Sequence, residues 1–188
     1  WPPKSGGSFF AHLPVFNQRG ELALMNRYGE EFLPLNSMSN FVLATQIAQS
    51  TAIRHKIERA RSRWPEEVGI MTYKLNDVYI GTSWSTIDWY GVPKMAHYFT
   101  KSAFEPLHAA LLFDTLTVYN KECVFPVFLM DDKGDLSRKK WTVKVRAFNA
   151  ELKEIKEKEY KAFGLKEKVK KIGRFSLNSY QTKTAPLL

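Results

Sequence analysis

The sequence predicts an α/β segment followed by an all-β segment, with the change near residue 104. Three observations carry this. The run FVLATQIAQSTAIRHKIERARSRW (41–64) contains no Gly or Pro, and its apolar residues recur at helical spacing. It is followed by VGIMTYKL (68–75), a short apolar stretch with charge before it and Asn76-Asp77 after it, the pattern of a buried strand. Beyond Pro106 the character switches to strand-like runs separated by turn residues, HAALLFDTLTVYN, CVFPVFLMDD and WTVKVRAFN.

The Pro and Gly content of WPPKSGGSFF predicts a loop. The pattern is irregular from His12 to Asn36, with a short helix near Glu21–Tyr28. Ser39-Asn40 reads as the N-cap of the long helix, whose Phe41, Ala44, Ile47 and Ala48 share one face. Arg54, Lys56, Arg59 and Arg63 supply much of its polar surface, and Pro65 ends it. Pro93 can open a short helix over Lys94–Lys101, with Met95, Tyr98 and Phe99 in a stripe, and Phe104-Glu105-Pro106 breaks it. In the second part, DDKGD is a hairpin turn. Trp141, Val143, Val145 and Ala147 alternate as on a half-buried strand. The stretch 151–163 fits either a helix, through Leu152, Ile155, Tyr160 and Phe163, or another hairpin arm. GRFSLNSYQTKTAPLL could include one more strand. These readings define two domains, 1–103 and 104–188.

Bulk properties narrow the function classes. With 188 residues, 44% hydrophobic and 25% charged, the chain has ordinary globular composition. No apolar run reaches the roughly 18 to 20 residues that span a bilayer. The start at Trp1-Pro2-Pro3, without Met or a signal-like pattern, predicts a piece of a longer or processed chain. One cysteine, Cys123, forbids an internal disulfide. Together with the lack of an N-glycosylation sequon, it favours a cytoplasmic or bacterial protein. The net charge of +9 is spread rather than clustered, and the densest stretch, ELKEIKEKEYKAFGLKEKVKK, alternates Glu with Lys as a solvated face does. Nucleic-acid binding is therefore disfavoured.

Candidate site residues concentrate in KLNDVYIGTSWSTIDWYG (74–91). Asn76 and Asp77 follow the end of the expected strand, where α/β proteins place their chemistry, although Asn-Asp is also a common turn pair. Tyr73, Tyr79 and Trp84 beside them would suit a sugar, whose C–H faces pack on aromatic rings and whose hydroxyls need carboxylate or amide partners. Trp89 and Tyr90 serve equally well as packing. His55 and Glu58 are three apart without a third ligand, so no metal is expected. Ser83 and Ser85 have no evident His partner, and no phosphate-cradling loop or other cofactor motif is present.

The stretch YKLNDVYIGTSWSTIDWYGVPKMAHYFTKSAFEPLHA resembles the end of the catalytic barrel in glycoside hydrolase family 2, most closely its β-mannosidase-like members. Their strand 8 reads W-Q-L-N-D-x-W-P, followed by S-W-S-S-I-D-Y-Y-G, a K-A-L-H-Y helix and F-A-P. Upstream, FVLATQIAQS and KIERAR resemble the preceding helix, and the chain after Pro106 sits where those enzymes carry an immunoglobulin-like β-sandwich. The resemblance implies the C-terminal portion of a (β/α)8 barrel, strand 8 with flanking helices, plus that sandwich. It also implies a retaining exo-β-glycosidase acting on terminal β-linked hexosides through two glutamates, with carboxyls about 5 to 5.5 Å apart. In the family those glutamates come from strands 4 and 7. Their N-E and S-E-F-G-like motifs do not occur here, so this chain alone should be inactive. Tyr73 and Tyr79 stand where the family has Trp, and Ile80 where it has Pro, whereas Asn76, Asp77 and Trp84 keep the pattern. The implied substrate-binding residues are therefore Tyr73, Asn76, Asp77, Tyr79 and Trp84. The implied partners are a β-linked glycoside and the upstream part of the same enzyme, since a single barrel strand would leave its edges unpaired. The alternative is a non-catalytic interaction or scaffold module derived from such an enzyme.

Overall fold

A computed structural model of the chain describes residues 1–4, 6–13, 18–114, 121–134, 139–149, 151–164 and 166–178. It is mixed helix and strand, and its strands form antiparallel sheets. The chain divides into two compact units, one of residues 1–57 and 70–103, the other of residues 58–69 and 104–188.

The first unit is helical. Helix α1 (Ser8–Ala11) begins inside the segment expected to be a loop, and α2 (Gln18–Gly29) extends the short helix expected near Glu21. Helix α3 (Met38–Ser62) is the long one. Its cap is Ser37 rather than Ser39-Asn40, because the Ser37 Oγ accepts the Asn40 backbone N–H at 3.1 Å. That places Asn40 within the first turn, where its Nδ2 donates to Pro34 O and Asn36 Oδ1, both at 3.0 Å, and fixes the entering loop. Ser37→Ala should cost about 1 kcal/mol in thermal unfolding, and an unchanged melting temperature would contradict the cap. Phe41 and Ala44 are buried on α3, with Phe41 packed against the rings of Trp1 and Phe9. Helix α4 (Met95–Ala103) turns a different face inward than expected. Ala96 and Ala103, seven apart, are fully buried while Tyr98 is exposed. Small residues let the helix backbone approach its neighbours closely, which a Tyr in that stripe would prevent.

The strand expected over 68–75 does not form. Val68, Met71, Tyr73 and Leu75 all face solvent, and the only pairing nearby among the described residues is two isolated bridges, Asn76 with Ile87 and Ile87 with Pro93. The reason is physical: a strand exists only where a neighbour takes its N–H and C=O groups, and no described strand flanks this one.

The second unit holds a three-stranded sheet of order β1-β2-β5 and a two-stranded sheet β3-β4. The strands are β1 (Leu107–Leu111), β2 (Cys123–Asp131), β3 (Trp141–Phe148), β4 (Glu154–Ala162) and β5 (Val169–Leu177), paired antiparallel throughout. The expected alternation on β3 is present, with Trp141, Val143, Val145 and Ala147 half-buried and their neighbours exposed. The ambiguous stretch 151–163 resolves as a strand, because Tyr160 and Ala162 at two-residue spacing are the positions buried. Leu152, counted in the helical reading, takes a left-handed φ of 59° at the start of that arm and is exposed. Parts of the expected strand after Leu111, of the DDKGD hairpin and of the C-terminal run lie outside the described residues.

Pro126 ends the β1–β2 ladder. Leu112 N–H donates to its carbonyl at 3.1 Å, but proline has no N–H for the reciprocal bond. Phe125, Val127, Phe175 and Leu177 from one sheet cluster with Tyr160, Val143 and Val145 from the other. The outer edge of β5 is covered by β4. Arg174 O accepts the Tyr160 hydroxyl at 2.7 Å and the Lys158 ammonium at 3.0 Å, and Ser176 O accepts the Lys156 ammonium. These donors satisfy carbonyls that would otherwise leave a sheet edge open. On α3, the segment belonging to this unit contributes Glu58, buried and 2.8 Å from His108 Nε2, and Arg61, paired with Asp132 at 3.0 Å.

Candidate functional site

The loop between residues 74 and 94 has little regular structure, so its shape depends on individual hydrogen bonds. Thr86 N–H donates to Leu75 O at 3.1 Å, Ile87 N–H to Leu75 O at 2.9 Å and Asp77 N–H to Ile87 O at 3.0 Å, which folds the loop back on itself. Asp88 closes a turn by accepting the Val92 N–H on its Oδ1 at 2.8 Å. Two glutamines of α3 dock the loop. Gln49 Nε2 donates to Trp84 O at 2.9 Å, and Gln46 Oε1 accepts the first N–H of α4, that of Met95, at 3.0 Å.

At the centre lies Asp77, whose side chain is only 1% exposed. Its Oδ1 accepts the Ser83 hydroxyl and stands 3.5 Å from Lys74 Nζ. Its Oδ2 accepts the Ser85 hydroxyl at 2.6 Å and the Lys94 ammonium at 3.2 Å. Lys94 also reaches Ser85 Oγ at 2.9 Å, and the two serine hydroxyls are 2.8 Å apart. Burial on its own would raise the Asp77 pKa, but the hydrogen bonds from Ser83 and Ser85 and the positive charge of Lys94 together hold it below the ordinary value. Asp77 is thus a permanently charged, fully partnered carboxylate at neutral pH.

The other four residues singled out in the sequence face solvent: Tyr73, Asn76, Tyr79 and Trp84. Asn76 adjoins Asp77 and donates from Nδ2 to its carbonyl at 3.2 Å. The Tyr79 ring carries the Lys74 ammonium 5.7 Å from its centroid. Trp84 sits between the two serines that bind Asp77. Trp89 and Tyr90 are also exposed rather than packed. The residues that sequence reasoning missed are Lys74, Ser83, Ser85 and Lys94 as partners of Asp77. The serines had one usable signal, their closeness to Asp77 in the sequence. Lys94 had none, being seventeen positions from Asp77. Among the described residues no group of acidic, His or Cys side chains is arranged to hold a metal ion. Glu58 is engaged with His108.

No family model matches the chain. It is 31% identical over 81 residues to β-mannosidase from Mus musculus, a match covering 39% of this chain and 9% of the relative. It is 30% identical over 81 residues to β-mannosidase from Rattus norvegicus, with the same coverage. The chain therefore corresponds to a small fraction of the length of these relatives. Among solved structures, a β-D-mannosidase from Dictyoglomus thermophilum superposes with a TM-score of 0.62 at 22% identity, over 85% of this chain and 19% of that one. An exo-chitosanase from Amycolatopsis orientalis, solved with PNP-β-D-glucosamine, gives 0.68 at 16% identity over 93% and 22%. At such identities the structural matches establish a shared fold, while the sequence matches point specifically to β-mannosidases. Over those 81 residues the chain is similar to β-mannosidases, and across most of its length it shares a fold with part of a β-D-mannosidase and of an exo-chitosanase.

Proposed function

We propose that this chain is the C-terminal part of a retaining exo-β-glycosidase of β-mannosidase type that hydrolyses terminal β-linked hexosides. The match over 81 residues to two β-mannosidases carries this reading. In it, residues 1–103 complete a (β/α)8 barrel whose last strand is 68–75, and residues 104–188 form an immunoglobulin-like sandwich. The exposed, unpaired state of Val68, Met71 and Leu75 supports that assignment, since a barrel strand needs neighbours on both sides. Tyr73, Asn76, Tyr79 and Trp84 then supply one wall of the sugar subsite, with Asp77 behind them, and the glutamate pair comes from the upstream polypeptide.

The isolated chain should show no hydrolysis of an aryl β-mannoside, and co-expression with the polypeptide encoded upstream should restore it. In the restored enzyme, Trp84→Ala should raise KM about tenfold, the equivalent of roughly 1.4 kcal/mol for a lost ring contact. Hydrolysis by the isolated chain would refute the shared-site reading. Reassembly that binds no mannoside would favour the scaffold-module alternative.

A further inference from the structure

We propose that Asp77 is a positioning residue that holds two exposed rings, Trp84 through Ser83 and Ser85 and Tyr79 through Lys74, as a preformed rim. The sequence placed Asp77 among the groups that would meet a sugar hydroxyl. Its side chain is instead buried, and both oxygens are engaged by hydroxyl and ammonium donors of the protein. A carboxylate with four such donors has little capacity left for a ligand.

Those donors are arranged around the two rings. Ser83 and Ser85 flank Trp84 directly in sequence, and both point inward to the one carboxylate. The backbone of Trp84 is held from a third side, where its carbonyl accepts Gln49 Nε2 at 2.9 Å. The chain bends at Trp84, and Ser85 N–H also donates to Ser83 Oγ at 3.0 Å, which ties the two serines together on the Asp77 side of the bend. Trp84 is accordingly about half exposed despite its size, while Ser85 is fully buried. On the opposite oxygen, Lys74 stands 3.5 Å from Asp77 and 5.7 Å from the centroid of the Tyr79 ring. Lys94 neutralises the second oxygen and braces both hydroxyls. A ring fixed before a ligand arrives loses no rotamer freedom on binding, which is how a flat platform gains affinity without an added contact. That use of the rim rests on the sugar-site reading given above; the latch itself does not.

Incorporating 5-fluorotryptophan into the full chain gives five ¹⁹F lines, and Trp84→Phe identifies the one from Trp84. Ser83→Ala and Asp77→Asn should each shift and broaden the Trp84 line and leave those of Trp1, Trp64 and Trp141 in place. Asp77→Glu, which keeps the charge, should narrow it again in part. Ser83→Ala retains the carboxylate and both lysines, so it carries the test even if Asp77→Asn fails to fold. An unchanged Trp84 line in Ser83→Ala, or an equal movement of all five lines, would overturn the positioning role and leave Asp77 as a general fold contact. Binding of an aryl β-mannoside is read separately, on the unsubstituted chain reassembled with the upstream polypeptide. A Trp84 line that responds to Ser83→Ala in a protein that binds no mannoside sustains the latch and removes the sugar reading.

Discussion

Asp77→Ala should destabilise the first unit by about 3 kcal/mol, the lower end of the range for breaking a buried ion pair. The variant leaves Lys94, whose side chain is 16% exposed, without its carboxylate, and strips the hydroxyls of buried Ser85 and half-buried Ser83 of their acceptor. Lys74 is more exposed at 23% and relaxes into water, which keeps the loss at the low end. Asp77→Asn keeps the shape but removes the charge and should lose less. The same group predicts an acid transition. Its folded pKa lies below the ordinary value of an Asp carboxyl, so the stabilisation it provides is complete above that ordinary value. That stabilisation drains away as pH falls through the lower, folded value. Urea titrations at several pH values should show the midpoint of the unmodified chain dropping below about pH 4, with the drop much reduced in Asp77→Asn. Equal acid sensitivity in the two proteins would show that other carboxylates dominate.

Gly173→Ala should destabilise the second unit by a similar amount, about 3 kcal/mol, at the upper end for overpacking. A methyl group there would fall 2.5 Å from Cδ1 of Tyr160 and closer still to Cε1. The glycine lies opposite Val127, beside the register shift between Val127 and Phe128 that lets Ile172 bulge from β5. Its backbone is not in the left-handed region, so the cost is steric. The ring cannot swing aside cheaply, because Tyr160 is buried and its hydroxyl is bonded to Arg174 O. A fall in melting temperature of more than about 10 °C follows for a unit of this size. In a Tyr160→Leu background the added cost of Gly173→Ala should nearly vanish, since neighbouring changes couple through shared space. Additive losses in the two backgrounds would locate the strain elsewhere.

Elements whose signal is local were legible. Helix α3 announced itself through a long run free of Gly and Pro, and β3 through alternation from Trp141 to Ala147. The cap was misplaced by two residues because Ser37, Ser39 and Asn40 are all good capping residues, and only the bond from Asn40 N–H to Ser37 Oγ chooses among them. The strand over 68–75 has the right composition, but strand formation depends on partners that no local pattern can supply. The same limit applied to β4, where helical and strand periods fitted equally well until pairing with β3 selected the strand.

The candidate site divides along similar lines. The sequence by itself determined the chemical kind of the stretch: aromatics, an amide and a carboxylate in an order shared with β-mannosidase-like proteins. It also determined that rings would flank Asp77, because those neighbours are a few positions away. Only the tertiary structure decided that Asp77 faces inward while Tyr73, Asn76, Tyr79 and Trp84 face outward. The deciding partner, Lys94, lies seventeen positions along the chain, and Gln46 and Gln49 come from helix α3. Whether a carboxylate is buried depends on the charges and donors that surround it in space. Sequence proximity carries that information for serines two residues apart and loses it for a lysine at the far end of a loop.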